Sequence, residues 1–330
     1  MHMVTINDAM GNPVVQYDAD LVHSMRTADD GIAFYISQLA GLQAQVYQTL
    51  YPDIIYRDLI PIDTSDPEWV DSVQYISYNA VTMGKFIAAN GMDLPQSDIT
   101  ASISTIPVGY AGNSYGYSLD ELRKAMAMRI PLDTTKARMS YRGSEQHCQQ
   151  VAFFGDSTRN MGGLFNNANV PLSNLTVDWS TATGQDLFDL LNGIMTQVWT
   201  QSKTIHTANT LLLPPTIFAK AANMKMSEYQ NITVLEFFRQ NNTTRAATGR
   251  DVDIRACLWL EDAGTDGGPR IMAYEKNADN LTLRQPLPWR SLPPQAKGLR
   301  LDVPCEYKTG GTEFRYPLSA VYADAPAIAA

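Results

Sequence analysis

Hydrophobic positions along this chain switch period several times. From Asp30 the stripe Ile32, Ile36, Leu39, Gln43 and Val46 has helical spacing, and it stops before Pro52. Residues 1–28 before it are polar and aperiodic, broken at Gly11-Asn12-Pro13, and predict an extended arm. Residues 54–62 predict a short strand-like link. Between 69 and 106 the period falls to two. Val73 and Tyr75 begin one alternating run, Ile99, Ala101 and Ile103 form another, and Asn90-Gly91 with Pro95 punctuates the reversal. A strand over 70–86 would be roughly 55 Å long at ~3.3 Å per residue, far beyond the ordinary length. Its Ser, Thr, Asn and Gln content suits an arm reaching out of the domain better than a core.

Ser118 and Glu121 have capping-box spacing and predict a helix to about Met128. Asp133 or Thr134 opens a second helix through Phe154, with Gly155 as its stop. The stripe Ala137, Tyr141, Ser144, Cys148 and Val151 is mixed in polarity, so this helix should lie across a surface. Residues 186–200 form an amphipathic helix through Leu187, Leu190, Leu191, Ile194 and Val198. A buried strand is expected at 210–213, followed by Pro214-Pro215 and a helix from Thr216. A second capping box at Thr233 and Glu236 opens another helix, and residues 252–260 alternate as a strand. The alternation of helix and strand over 160–285 marks an α/β or α+β unit. At the C-terminus 299–307 and 314–322 alternate around Thr309-Gly310-Gly311, predicting a hairpin.

Apolar residues make up 45% of the 330 residues and charged residues 18%, a composition that can bury a core. The formal charge of −9 argues against a protein whose main task is to coat nucleic acid. Three scattered cysteines, Cys148, Cys257 and Cys305, give no disulfide framework, and no apolar run is long enough to span a membrane. With no signal pattern at the N-terminus, a soluble protein made in a reducing cytoplasm is expected. Charge is unevenly spread: residues 1–60 are acidic, whereas 121–160 are rich in Lys and Arg, which suits either an acidic arm and a basic helix pair meeting between copies or two solvated faces.

Catalytic chemistry finds little support. Gly155-Asp156-Ser157 matches the serine block of GDSL-type esterases, and Asp20-Leu21-Val22-His23 supplies an Asp-x-x-His. The order is reversed relative to that family, and a turn after a helix end explains the Ser block more simply. Only His2, His23, His147 and His206 are available as imidazole bases. His147-Cys148 are adjacent and point apart on a helix, so they cannot share a tetrahedral ion. Gly264–Gly268 lacks the Lys-Ser/Thr of a phosphate loop. No catalytic residue, cofactor or metal is expected.

A protruding polar hairpin, a long surface helix and an α/β unit without a catalytic cluster suggest a self-assembling building block. The chain resembles the tailed-bacteriophage major capsid proteins of the HK97-type fold, in the branch shared with the encapsulins. The matching pieces are Gly84 with Asp93-Leu94-Pro95, Tyr117-Ser118-Leu119-Asp120-Glu121, Phe153-Phe154-Gly155-Asp156, and Gly163-Leu164-Phe165-Asn166. Further pieces are Thr210 to Pro215, Leu292-Pro293-Pro294 with Gly298, and Tyr307 to Pro317, all in family order.

The resemblance implies an α+β fold: an N-terminal arm and helix over 1–50, an extended hairpin loop over 69–106, and an axial domain over 160–281. A peripheral domain would comprise 51–68 and 107–159, with a spine helix at about 134–154, plus strands at 282–318; residues 319–330 would be a return strand and tail. It implies hexamers and pentamers closing an icosahedral shell around nonspecifically held double-stranded DNA. Localisation would be the virion capsid, assembled in the host bacterial cytoplasm, with no membrane partner. Portal and decoration proteins would be separate partners. Because the chain starts at the arm, scaffolding would also be a separate protein or absent. Tyr75, Lys85, Ile99 and Ile103 are the expected intersubunit contacts, and Lys136, Arg138 and Arg142 the expected DNA-facing residues. Some relatives cross-link a hairpin Lys to an Asn, and Lys85 alone does not establish that chemistry. The rival readings are an encapsulin-like nanocompartment shell and, more distantly, a GDSL-like serine hydrolase.

Overall fold

A computed structural model describes residues 3–7, 13–18, 54–80, 99–128, 135–179, 181–227 and 230–326. The expected helix of residues 30–50 lies outside them. At the N-terminus, β1 (Met3–Asn7) pairs antiparallel with β2 (Pro13–Asp18), Val4 opposite Tyr17 and Ile6 opposite Val15. The aperiodic arm expected for 1–28 is thereby corrected: Val4 and Ile6 alternate with Thr5 and Asn7, which is strand spacing. The strand-like link at 54–62 is corrected as well. It holds a one-turn helix α1 (Tyr56–Leu59), whose i, i+3 pair Tyr56 and Leu59 is buried, and only then β3 (Ile62–Asp63).

The hairpin strands follow. β4 (Ser72–Ala80) pairs with β5 (Ile99–Ser118), which continues well beyond the expected end of the hairpin. Helix α2 (Leu119–Met128) begins at the predicted capping box: Glu121 N–H donates to Ser118 Oγ at 3.1 Å and Ser118 N–H to the Glu121 carboxylate at 3.0 Å. The long helix α3 (Thr135–Phe154) stops at Gly155, whose φ of +69° suits glycine. Its stripe of Ala137, Ser144, Cys148 and Val151 is buried while Met139 on another face is exposed, as expected of a helix lying across a surface.

Next come β6 (Leu172–Asn174), α4 (Gly184–Gln201), β7 (Thr210–Leu213), α5 (Pro215–Asn223), β8 (Lys225–Ser227), β9 (Gln230–Thr233), α6 (Val234–Gln240) and α7 (Thr243–Thr248). A reciprocal capping box between Thr183 and Asp186 starts α4, a signal the sequence reading passed over because Asp takes the place of Glu. β10 (Asp253–Ala256) ends sooner than the alternation through 260 predicts. A 3-10 turn at Leu258–Leu260 replaces the rest, because Cys257 and Leu260 reach the core three residues apart.

The chain closes with β11 (Arg270–Tyr274), β12 (Leu281–Arg284), β13 (Leu287–Ser291), β14 (Gln295–Lys297), β15 (Arg300–Gly310), β16 (Thr312–Phe314) and β17 (Ala320–Asp324). The predicted C-terminal hairpin does not form. β16 pairs with β12, Phe314 opposite Leu281, and β17 joins β11 in another sheet. Gly311 makes this exit possible: a Cβ there would lie 2.4 Å from the Gly162 carbonyl oxygen.

The residues fall into two compact units. Unit 1 comprises 1–54, 111–146 and 289–307. In it β15 lies between β13 and the second half of β5, with β14 folded back on β15. Gly112 and Gly116 let those strands come together, since a Cβ at either would meet the carbonyl oxygens of Cys305 or Leu301 below 3 Å.

Unit 2 comprises 55–110, 147–288 and 308–330. Its main sheet has the order β10-β7-β11-β17-β6, and β16-β12-β3 forms a smaller one. Leu211, Leu213, Ile271, Ala273, Val321 and Ala323 present one face of the main sheet to Leu187, Leu191, Ile194 and Val198 of α4 and to Ile217 and Phe238. Alternate residues serve the other face, where Tyr274 Oη donates to the Leu59 carbonyl at 2.8 Å and Tyr322 Oη to that of Leu164 at 2.5 Å. Leu191 is fully buried at the centre of this core. Leu191→Ala is expected to cost about 2–5 kcal/mol of unfolding free energy, read by urea denaturation.

Candidate functional site

The hairpin is rooted in unit 2 by buried charge. Arg284 is the charged residue of the buried strand Leu281-Thr282-Leu283-Arg284, its side chain only 9% exposed. It donates from Nη1 to Asp63 and Asp66, both at 2.9 Å, and from Nε to Glu313 at 3.2 Å. The Glu313 side chain is 1% exposed and also accepts from Arg315 at 3.3 Å. Lys308 donates to the Val70 carbonyl at 3.1 Å and to Asp71 at 2.9 Å. Backbone bonds from Leu283 to Pro61 and from Gln285 to Asp63 hold the same segment. A buried guanidinium is expensive unless every partner is in place. Residues 61–71, which lead into β4, are therefore latched in one geometry.

Beyond this root the register divides the hairpin into two unlike faces. Ile103 pairs with Ile76, Ala101 with Tyr78 and Ile99 with Ala80, so these six share one register face. Ser102, Ser104, Thr100, Ser77, Asn79 and Tyr75 share the other. Ile103 is 65% exposed. Tyr75 instead lines a cleft of about 460 Å³ within unit 2, beside Met161, Asn167 and Phe314. The four expected contact residues are thus divided: Ile99 and Ile103 share the apolar face, Tyr75 belongs to the opposite one, and Lys85 lies outside the described residues.

At the start of α3, Lys136 donates to the Glu121 carboxylate at 3.0 Å and to the Gly116 carbonyl at 3.2 Å, and its ammonium lies 4.7 Å from the Tyr117 ring centre. The Lys136 bond, followed by the capping bond from Ser118, holds the Glu121 carboxyl below the ordinary glutamate range. Arg138 and Arg142 are half-buried on the same helix.

Asp156 accepts from Thr158 N–H at 2.9 Å and Thr158 Oγ1 at 2.7 Å, and Ser157 sits in the 3-10 turn that follows. The Gly-Asp-Ser block is thus a helix stop and a capped turn. His23 lies outside the described residues. Among the described residues no His, Cys, Asp and Glu side chains gather as a metal-holding group, and no helix is long and apolar enough to cross a membrane.

Sequence reading missed the latch. Its visible signal was Arg284 within Leu281-Thr282-Leu283-Arg284 and Glu313 beside Phe314: charges in short strands otherwise built for burial. Their partners, 218 to 221 residues away for Asp66 and Asp63, carry no local signal.

A family model described as major capsid protein matches residues 83–325. Among solved structures, the capsid of Myoviridae phage XM1 aligns with a TM-score of 0.70 at 16% identity, over 84% of this chain and 93% of that one. Mycobacterium phage Adephagia gives a TM-score of 0.58 at 10% identity, over 86% and 94%. Mycobacterium phage Bobi gives 0.57 at 9%, over 85% and 93%. No curated protein matches the chain.

Hydrogen bonds from Ser65, with a smaller contribution from Arg284, hold the Asp63 carboxyl below its ordinary value. A depressed carboxylate contributes stability above its unfolded pKa and loses it as pH falls through the folded one. The latch should therefore weaken only below about pH 4. Arg284→Met leaves Glu313 buried without its main partner and is expected to cost about 3–5 kcal/mol at pH 7. The same variant should show a smaller acid-induced loss of stability when melting is followed from pH 7 to pH 3.

Proposed function

This chain belongs to the major capsid protein family and has its HK97-type α+β fold, and we propose that its copies form hexamers and pentamers closing an icosahedral shell around the double-stranded DNA of a tailed phage. Its role is structural, as a component of the virion capsid. The observation that carries the finer reading is the hairpin: one register face holds Ile76, Tyr78, Ala80, Ile99, Ala101 and Ile103, and Ile103 is left exposed. Two strands have no core of their own, and an apolar face of this kind asks for a second surface. Ile99, Ile103 and Lys85 would lie against a neighbouring copy, with Tyr75 supporting the root from within.

In the same reading, 51–68, 107–159 and 282–318 make a peripheral domain and 160–281 an axial one. Portal and decoration functions would fall to separate proteins, and assembly would take place in the host cytoplasm. Lys136, Arg138 and Arg142 would face the genome. Glu121 already offsets much of the Lys136 charge, so the grip on DNA would be weak and independent of sequence.

Among the described residues, the hairpin contributes none to the cluster that α4 packs against the main sheet. Replacing residues 73–102 by a short Gly/Ser turn should leave a soluble, cooperatively melting protomer, because a shorter loop adds little closure entropy. Closed particles should disappear from negative-stain images. Aggregation of that variant on expression, or shells that enclose a protein cargo and no DNA, would count against this function. For the DNA contact, binding should fall steeply with salt without sequence preference. Arg142→Ala should lower the slope of log affinity against log salt by about one.

A further inference from the structure

The main sheet of unit 2 has an exposed apolar cluster at each end. β7 and β10 run parallel, Asp253 opposite Thr210 and Ala256 opposite Leu213. β11 and β17 run antiparallel, with Tyr274 opposite Ala320 and Arg270 opposite Asp324, and Tyr274 also faces Thr210. One end is therefore where β7 and β17 begin and β11 finishes; the other is where β7 and β10 finish.

At the first end Ile205 is 77% exposed, with Tyr316 and Leu318 also exposed. All three lie at this end of the sheet. The tilted rings of His206 and Tyr316 lie 5.6 Å apart between centres, and the Gln201 amide donates to the carbonyls of Leu318 and Ala320, both at 2.9 Å. Ile205 is held out by two successive left-handed residues, Lys203 at φ +53° and Thr204 at φ +68°. A β-branched residue in that region costs of order 1–3 kcal/mol, and such strain concentrates where a surface is used. Lys203 is exposed at this end, while Arg315 is already bonded to Glu313 at 3.3 Å and Glu275 to His206 at 2.7 Å.

At the second end Leu258 is 71% exposed beside the exposed Trp259. Trp259 is fixed from below by Phe153 and Phe154, each at 6.1 Å between ring centres, and buried Leu260 anchors the turn. From Cys257 to Pro269 the chain carries Glu261, Asp262 and Asp266 and no Lys, Arg or His. Glu261 is taken by the start of α5, accepting from Thr216 N–H at 2.8 Å, while Asp262 and Asp266 are exposed.

We propose that these two ends meet between neighbouring copies of this chain, the Ile205–Tyr316–Leu318 patch of one seating against the Leu258–Trp259 patch of the next, with Lys203 against Asp262 or Asp266. Apolar surface supplies the attraction and the opposite charges set the direction. Two different patches on one molecule make a head-to-tail contact, which repeats into a ring when the rotation closes. The contact rests on the shell reading above and names the surfaces that would build its rings.

The test uses cross-linking of the full chain. Its native cysteines Cys148, Cys257 and Cys305 are buried and give a low background. A chain carrying both Ile205→Cys and Leu258→Cys, assembled and treated with a short bismaleimide, should give a ladder from dimer upward on a denaturing gel. Each single variant alone should stay monomeric, and particles co-assembled from the two single variants should give dimers and no ladder. Particles of the double variant without a ladder, or dimers from one single variant, overturn this contact and leave the shell reading standing. A parent chain that forms no oligomer at all overturns both.

Discussion

Strand β11 is buried along its whole length, and it stands between β7 and β17 in a sheet that must be covered on both faces. Much of unit 2 follows from that constraint. Leu211, Leu213, Ile271 and Val321 require the apolar stripe of α4 with Ile217 and Phe238 on one side. Tyr274 and Tyr322 require partners for their hydroxyls on the other, and find them in backbone carbonyls of Leu59 and Leu164. A buried tyrosine needs such a partner, so these bonds fix where the flanking segments pass.

Two buried arginines of this unit are each held by several partners. Arg270 reaches Asp324 through Nε at 2.6 Å and Nη2 at 2.8 Å, and its guanidinium lies 4.9 Å from the Tyr322 ring centre. The pair joins β11 to β17 at their register partners. Arg284 plays a similar part in the smaller sheet with three carboxylates around it. Such clusters add little net stability compared with apolar packing, but any other arrangement strands a buried charge. Their effect is to narrow the number of ways the segment 61–71 can leave the domain.

The hairpin begins at that exit. The bonds of Arg284 and Lys308 fix the course of residues 61–71 as they lead into β4. Exposed side chains lie at both ends of the main sheet, so the interior specifies the protomer while the rim is left accessible.

Local signals in the sequence were sufficient for much of this. The capping boxes at Ser118 and Thr233, the stop at Gly155, the four-residue run Thr210 to Leu213 and the alternation around Ile103 each involve residues within a few positions of one another. Their physics is the saturation of helix ends and the pleat of a strand, which need no knowledge of the rest of the chain. Even the Gly-Asp-Ser block was readable as a turn. Tertiary structure decided what depends on distant partners. The alternation through 260 yielded to the burial of Cys257 and Leu260, and the expected C-terminal hairpin yielded to the pairing of Phe314 with Leu281 and of Ala320 with Tyr274. Which strand a half-buried segment joins depends on the neighbour that completes its hydrogen bonds and covers its face, and that neighbour lies far away in sequence. The partners of Arg284 were hidden for the same reason: an ion pair's energy depends on a distance in space, and spacing along the chain does not record it.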